Sequence, residues 1–229
     1  MQKPVVIFGT GDIGQLAHFY LTHDSSYHIA AFCADAAFIQ TTAWLGLPLV
    51  PFEEIVDVYP PDDFDMFVAL SYSKLNETRA AKYAEAKAKG YKLISYVCSR
   101  SVMWGETVIG DNCLIFENQT IQPFVRIGND VTMWSGNHLG HHSTIGDHGF
   151  ITSHVVISGH VEIGPYCFLG VNSTVRDGIR LAPRSVIGAG ATIVKNTVEG
   201  GVYRGVVAGL RAADGSKLRY FTQTRYPNL

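Results

Sequence analysis

The chain has 229 residues, 17% of them charged, and a formal net charge of -2. No basic stripe points to nucleic acid, no polybasic run points to an anionic membrane, and no stretch reaches the roughly 18 unbroken apolar residues of a membrane helix. Length allows one or two domains.

In chain order, residues 3–8 read as a buried strand, followed by the loop Gly9-Thr10-Gly11-Asp12-Ile13-Gly14 and a helical pattern over 15–21. Residues 27–33 read as a second strand ending near Asp35, residues 51–59 as a short helix and residues 66–70 as a strand. An Ala/Lys/Glu-rich helix over 75–89 is stopped by Gly90, and residues 93–97 are expected to close the sheet. Strands alternating with helices predict a small parallel α/β domain over residues 1–98. The first strand starts close to Met1, so no signal peptide is expected. Cys33, Cys98, Cys113 and Cys167 show no metal-type spacing and are expected to be reduced, as in a cytoplasmic protein.

From Val97 the pattern changes. Every sixth residue through Met103, Ile109, Ile115 and on to Ile193 is aliphatic or Met. Chance would produce that run with odds on the order of 10⁻⁸. Ile-Gly pairs at 109, 127, 145 and 163 add a period of eighteen. Six nested in eighteen means three short strands per coil, a hexapeptide β-helix over residues 99–197. The aliphatic residue of each hexad points inward, and residues eighteen apart stack roughly 4.8 Å apart. Residues 198–229 are expected to cap the open end.

Three features carry candidate chemistry. G-x-G-x-x-G between a strand and a helix, with Asp35 about twenty residues further on, fits a nucleotide site at a helix N-terminus. Read from residues alone it serves NAD, a nucleotide diphosphate, or only the packing of a tight turn. Secondly, six of nine histidines lie between 138 and 160. His142, His148, His154 and His160 are spaced by six, so they fall on successive corners and only His142 and His160 stack. No metal site is therefore expected, and most of these side chains read as corner imidazoles. Thirdly, Gly159 stacks one coil above His141. A rigid imidazole under a glycine amide suits a general base beside an oxyanion donor, that is, acyl transfer. A structural corner histidine is the alternative.

The segments His141-His142-Ser143-Thr144-Ile145-Gly146, Cys167-Phe168-Leu169-Gly170-Val171-Asn172-Ser173 and Ile187-Gly188-Ala189-Gly190-Ala191-Thr192-Ile193-Val194-Lys195-Asn196 resemble the hexapeptide-repeat acyltransferases that carry an N-terminal Rossmann-like domain. That family includes sialic acid O-acetyltransferases and the N-acetyltransferases of bacillosamine and perosamine synthesis. The resemblance implies a Rossmann-like domain followed by a left-handed parallel β-helix, a homotrimer with active sites between neighbouring β-helices, and acetyl-CoA as co-substrate. It implies His141 as the base, with His142 its rival, and Gly159 as the oxyanion glycine. Gly159, Val171 and Ala189 would contact the coenzyme, while Gly9, Thr10, Gly11, Asp12, Ile13 and Asp35 would hold a nucleotide-linked sugar. The implied reaction is N-acetylation of a nucleotide-linked amino sugar, with O-acetylation of a sialic acid or other sugar as the alternative. A non-catalytic trimeric scaffold is the alternative outside the enzymes. The chain departs from the family in four places. No acid flanks the base, Asp12-Ile13 stands where Gly-His is common, the stretch 71–79 is about three residues longer, and the end at 205–209 lacks proline.

Overall fold

A computed structural model of the chain describes residues 2–206. The N-terminal unit is a five-stranded sheet in the order β3-β4-β2-β1-β5. Its elements are β1 (Val5–Phe8), α1 (Asp12–His23), β2 (Ile29–Ala34), β3 (Ala43–Trp44), β4 (Leu47–Pro51), α2 (Ile55–Val58), β5 (Asp65–Val68) and α3 (Glu77–Ala88). β1, β2, β4 and β5 are parallel, and β3 folds back antiparallel on β4 through a turn at Leu45 and Gly46, both with positive φ. The central strands β1 and β2 are apolar along their whole length because both faces are covered, while β5 starts on the buried Asp65. Val5, Val6 and Ile7 are fully buried. The chain leaves β1 to one side and returns to its other side at β5, so a crevice opens above the C-terminal ends of β1 and β5.

Two expectations need correction here. The β3–β4 hairpin was not anticipated, since Trp44-Leu45-Gly46 carries no Asn-Gly or Asp-Gly turn signal. Residues 93–97 do not close the α/β sheet. Leu93 makes a single bridge to Met66, while Tyr96–Val97 pairs with Leu114–Ile115 as the first rung of the β-helix.

The β-helix has three parallel faces. The first holds seven strands, from Tyr96–Val97 through Leu114–Ile115, Thr132–Met133, Phe150–Ile151, Phe168–Leu169 and Val186–Ile187 to Val202–Tyr203. The second holds six, from Val102–Met103 to Thr192–Ile193 and including His138–Leu139. The third holds five, from Val108–Ile109 to Arg180–Leu181 and including Thr144–Ile145. Pairing between coils is in register at eighteen residues, for example Thr120 with His138 and His138 with Val156. The aliphatic residues at every sixth position form one continuous core with small residues two places earlier, such as Cys113, Val125, Val131, Val155 and Cys167. At the base of the prism the pattern weakens: Met103 is 41% exposed because no coil lies beneath it.

The corners explain much of the histidine spacing. From Ile115 onward the backbone is left-handed three residues before each inward aliphatic: Asn112, Asn118, Asp130, His142, His148, His154, His160 and Asn172 all have φ between 53° and 61°. Asn, Asp and His tolerate that region better than most residues. Histidine at every sixth position thus begins as a backbone solution.

The α/β unit packs on the first face and its neighbouring corner. Arg79 is the clamp. It is 1% exposed, and its guanidinium donates to Asp130 Oδ1 (3.0 Å) and to the carbonyls of Ser71, Asp130, His148 and Gly149. Asp130 also receives Asn112 Nδ2 (2.7 Å) and pairs with His148 Nδ1 (2.8 Å). His148 was expected to be a surface imidazole, but it belongs to this buried network. The tail expected over 198–229 contributes Val202–Tyr203 to the first face; its residues 207–229 lie outside the described residues.

Candidate active site

The glycine loop separates two cavities at the crevice above β1 and β5. One, of about 280 Å³, is lined by Phe8, Gly9, Thr10, Gly11, Ala34, Asp35, Phe38, Leu70, Thr78 and Lys82. The other, of about 440 Å³, is lined by Gly11, Asp12, Ile13, Ala69, Leu70, Ser71, Tyr72, Ser73 and Trp134. Every nucleotide-site residue expected from the sequence therefore borders one of the two. The three glycines differ in why they are glycine. A Cβ on Gly14 would lie 2.2 Å from the Gly9 carbonyl oxygen, and one on Gly9 (φ +116°) would lie 2.5 Å from the Ala69 carbonyl oxygen. Those two serve packing. A Cβ on Gly11 would meet nothing within 4 Å. Gly11, which with Leu70 borders both cavities, is at the N-cap of α1, where amide dipoles favour an anion.

Asp35 is ion-paired with Lys82 at 2.8 Å, at the wall of the first cavity. Burial alone would lower the Lys82 pKa; hydrogen bonds from its ammonium to Asp35 and Glu85 outweigh that and raise it. Lys82, on α3, escaped the sequence reading because nothing local ties it to the loop. Asp12 lines the second cavity and not the first, so its carboxylate lies apart from the Asp35–Lys82 wall. The longer stretch 71–79 forms a left-handed turn, with φ of 51°, 52° and 70° at Lys74, Leu75 and Asn76, and leads into α3 from the rim of the second cavity.

His141 stands at the corner between the second and third faces, the corner that points away from the α/β unit. A Cβ built on Gly159 would lie 2.8 Å from His141 Cε1 and 2.9 Å from His141 Nε2. The imidazole therefore lies directly against the glycine, as the eighteen-residue stacking predicts. The same point is 2.9 Å from Asp177 Oδ1. Asp177 stacks one coil above Gly159, and the rule that found Gly159 would have found it. Gly159 is buried, and its carbonyl accepts from the Gly178 N–H at 3.0 Å. Its own N–H makes no hydrogen bond to any of the described residues. A buried amide donor without a partner is rare and costly, and it marks a place where a ligand oxygen fits.

The other side of the ring faces histidines. His141 Nδ1 is 3.1 Å from His142 Nδ1, and the His141 backbone N–H donates to Gln122 Oε1 at 2.9 Å. The His142 ring stacks on His160 (centroids 4.9 Å apart, 15° between planes) and packs against Phe124 at 4.7 Å. No carboxylate is hydrogen-bonded to His141 among the described residues.

Val171 and Ala189 are exposed and stack on a different corner, between the first and second faces. The structure does not bring them beside His141 within one chain; the second face lies between. All four cysteines are buried and free. Burial pushes the Cys113 thiol up to about 12 and the Cys167 thiol up to about 11, which removes both as nucleophiles near neutral pH.

Residues 160–195 match the family model described as the hexapeptide repeat of succinyl-transferase. Solved structures extend the likeness to both units of the chain. The acetyltransferase domain of PglB from Neisseria gonorrhoeae FA1090 superposes with a TM-score of 0.76 at 19% identity, covering 89% of this chain and 97% of that one. The chain shares the fold of that acetyltransferase domain. PerB from Caulobacter crescentus, in complex with CoA and GDP-perosamine, gives a TM-score of 0.79 at 22% identity over 91% of this chain and 97% of that one. The PglB domain in complex with acetyl coenzyme A gives 0.77 at 18% identity over 90% and 97%. This acyltransferase fold spans the α/β unit and the prism in one arrangement. It is a left-handed parallel β-helix with an N-terminal α/β unit, as the resemblance implied. Among the described residues no helix is long and apolar enough to cross a membrane.

Proposed function

We propose that this chain is an acetyl-CoA-dependent N-acetyltransferase acting on a nucleotide-linked amino sugar. The observation that carries the proposal is the pair at the corner: the N–H of buried Gly159, which has no hydrogen-bond partner among the described residues, and the His141 imidazole lying against it with Nε2 on the glycine side. The acceptor amine attacks the thioester carbonyl. His141 takes the proton at Nε2 as the C–N bond forms, and the carbonyl oxygen, now negative, receives the Gly159 N–H. Collapse of the tetrahedral adduct expels CoA as thiolate, which the protonated histidine neutralises. No covalent enzyme intermediate is involved, in keeping with the buried thiols; holding both substrates together supplies the proximity.

The nucleotide belongs in the crevice at Gly9–Ile13, with its phosphates at the Gly11 end of α1 and Asp35 at the first-cavity wall. CoA-bound and GDP-perosamine-bound PerB supports this assignment of co-substrates. Within one chain the crevice lies over the first face, whereas His141 lies on the opposite corner, with the packed aliphatic core between them. A sugar held in one chain's crevice therefore meets the His141 of another copy. That favours an oligomer, a homotrimer with its sites between adjacent prisms, and it lets acetyl-CoA run from the corner of Val171 and Ala189 on one copy to a neighbouring His141.

The test is release of free thiol from acetyl-CoA with a panel of nucleotide-linked 3- and 4-amino sugars, with sialic acid and free amino sugars as controls. Release with one amino-sugar nucleotide alone is expected. Release with sialic acid alone would replace this reading by O-acetylation. Failure to bind any acyl-CoA would leave a scaffold.

A further inference from the structure

We infer that His141, His142 and His160 form a site for a borderline divalent transition metal, zinc being the reference ion, and that its occupancy switches off the catalytic base. By spacing alone only His142 and His160 stack on this corner. His141, next in sequence to His142, turns its ring onto the same corner, 5.3 Å from the His142 ring and 5.0 Å from the His160 ring. One nitrogen from each of the three lies within 4.8 Å of the others, and all three side chains are exposed. The Nδ1 atoms of His141 and His142 face each other at 3.1 Å. Three imidazoles with an open fourth position are a preferred zinc donor set. A tetrahedral zinc with bonds near 2.1 Å wants its donors about 3.4 Å apart, so the His141–His142 pair is already in range and His160 closes by at most about 1.4 Å. Its exposed side chain can turn that far without moving the left-handed corner that carries it (φ 55°). Phe124 backs the His142 ring, and Glu106 and Arg126 border the cavity beside it.

The consequence for catalysis follows from the two ends of one ring. A metal on His141 Nδ1 leaves the imidazole's single proton on Nε2, the nitrogen that lies against Gly159. That nitrogen then has no lone pair with which to accept a proton from the acceptor amine. Metal binding itself stands independently of the acyl-transfer reading; the switching effect rests on it.

The experiment uses the full chain, stripped with chelator and dialysed against zinc, with bound metal counted by mass spectrometry. His160→Asn is the informative variant, since Asn also accepts the left-handed corner and His160 has no place in the proposed chemistry. His154→Asn is the matched control at a corner outside the cluster. The expected result is one zinc per chain for the parent and for His154→Asn, with at least about tenfold weaker binding for His160→Asn. Should His160→Asn fail to fold, as read by circular dichroism, His142→Asn takes its place for the zinc count. No zinc on the stripped parent at tens of micromolar, or equal binding by the parent and the folded variant, would overturn the site. Where thiol release is measurable, zinc is expected to inhibit the parent reversibly on adding EDTA and to spare His160→Asn. Zinc bound at full stoichiometry with an unchanged rate would overturn the switch. If no acceptor supports thiol release, the acyl-transfer reading fails while the zinc count still decides the site.

Discussion

Gly159→Ala separates the chemistry of the corner from its stability. Gly159 has a backbone conformation open to L-residues, so the substitution introduces a methyl group and no dihedral strain. That methyl would sit 2.8 Å from His141 Cε1 and 2.9 Å from both His141 Nε2 and Asp177 Oδ1. An ordinary contact is about 3.5 Å, so the imidazole retreats by about 0.7 Å. Both groups that must give way are ends of exposed side chains, so stability should change by no more than about 1 kcal/mol. The rate should not be spared. A displacement near 1 Å from productive geometry costs about 10²-fold, and the methyl also crowds the approach to the Gly159 N–H. The expected outcome in the thiol-release assay is therefore a kcat lower by about 10²-fold, or about 2.7 kcal/mol, with an unfolding midpoint close to the parent's. Gly140→Ala is the contrast: its methyl would lie 2.4 Å from the Gly159 backbone N and from the Ser158 carbonyl carbon, which cannot swing aside, so it should lose stability outright. A Gly159→Ala protein that folds normally and turns over at the parent's rate would refute the pairing of His141 with Gly159.

Arg79→Met should destabilise the chain by about 3–5 kcal/mol in denaturant unfolding, because the Asp130 carboxylate, 0% exposed, is left buried without its cation. Asp24 ties the end of α1 to the first rung of the prism, accepting from Tyr96 Oη (2.6 Å) and the Ser99 N–H (2.8 Å). Hydrogen bonds from Ser99 and Tyr96 hold its carboxyl well below the usual carboxylate range. A depressed folded value contributes stability above the unfolded value of about 3.9, lost as pH falls through the folded one. Asp24→Asn should therefore lower the thermal midpoint at pH 7, and the deficit should shrink in acid, as followed by melts from pH 7 to pH 2.5. Mixing Gly11→Trp, which fills the first cavity, with His141→Asn should restore about a quarter of parental activity on reassembly, because one intact crevice then meets one intact histidine across a subunit boundary. No recovery over the separate variants would mean that crevice and base work within one chain.

The prism was legible because one burial rule repeats. An aliphatic residue at every sixth position leaves a trace from Ile115 to Ile193 that composition cannot blur, and eighteen-residue stacking then joins His141 to Gly159 without coordinates. The rule fails where the repeat has no neighbour, as at exposed Met103, and where a strand serves one unit in place of the other, as at Tyr96–Val97. What stayed hidden depends on elements far apart in sequence. Arg79 finds Asp130 and His148 only once α3 lies on the prism, and Lys82 finds Asp35 only once α3 crosses the crevice. The histidines show the limit most clearly. Their six-residue spacing reflects a left-handed corner that Asn, Asp and His share, so spacing alone cannot tell His148, a partner of buried Asp130, from His154, a corner residue, or from His142 beside His141.

The proposed proton transfer to His141 during direct acyl transfer is tested by His141→Asn, which changes the shape of the side chain little. With an accepted amino-sugar nucleotide and saturating acetyl-CoA, kcat should fall by about 10²–10⁴-fold while the dissociation constant for acetyl-CoA stays within about twofold of the parent's. A folded His141→Asn protein that transfers acetyl groups at the parent's rate would contradict the account.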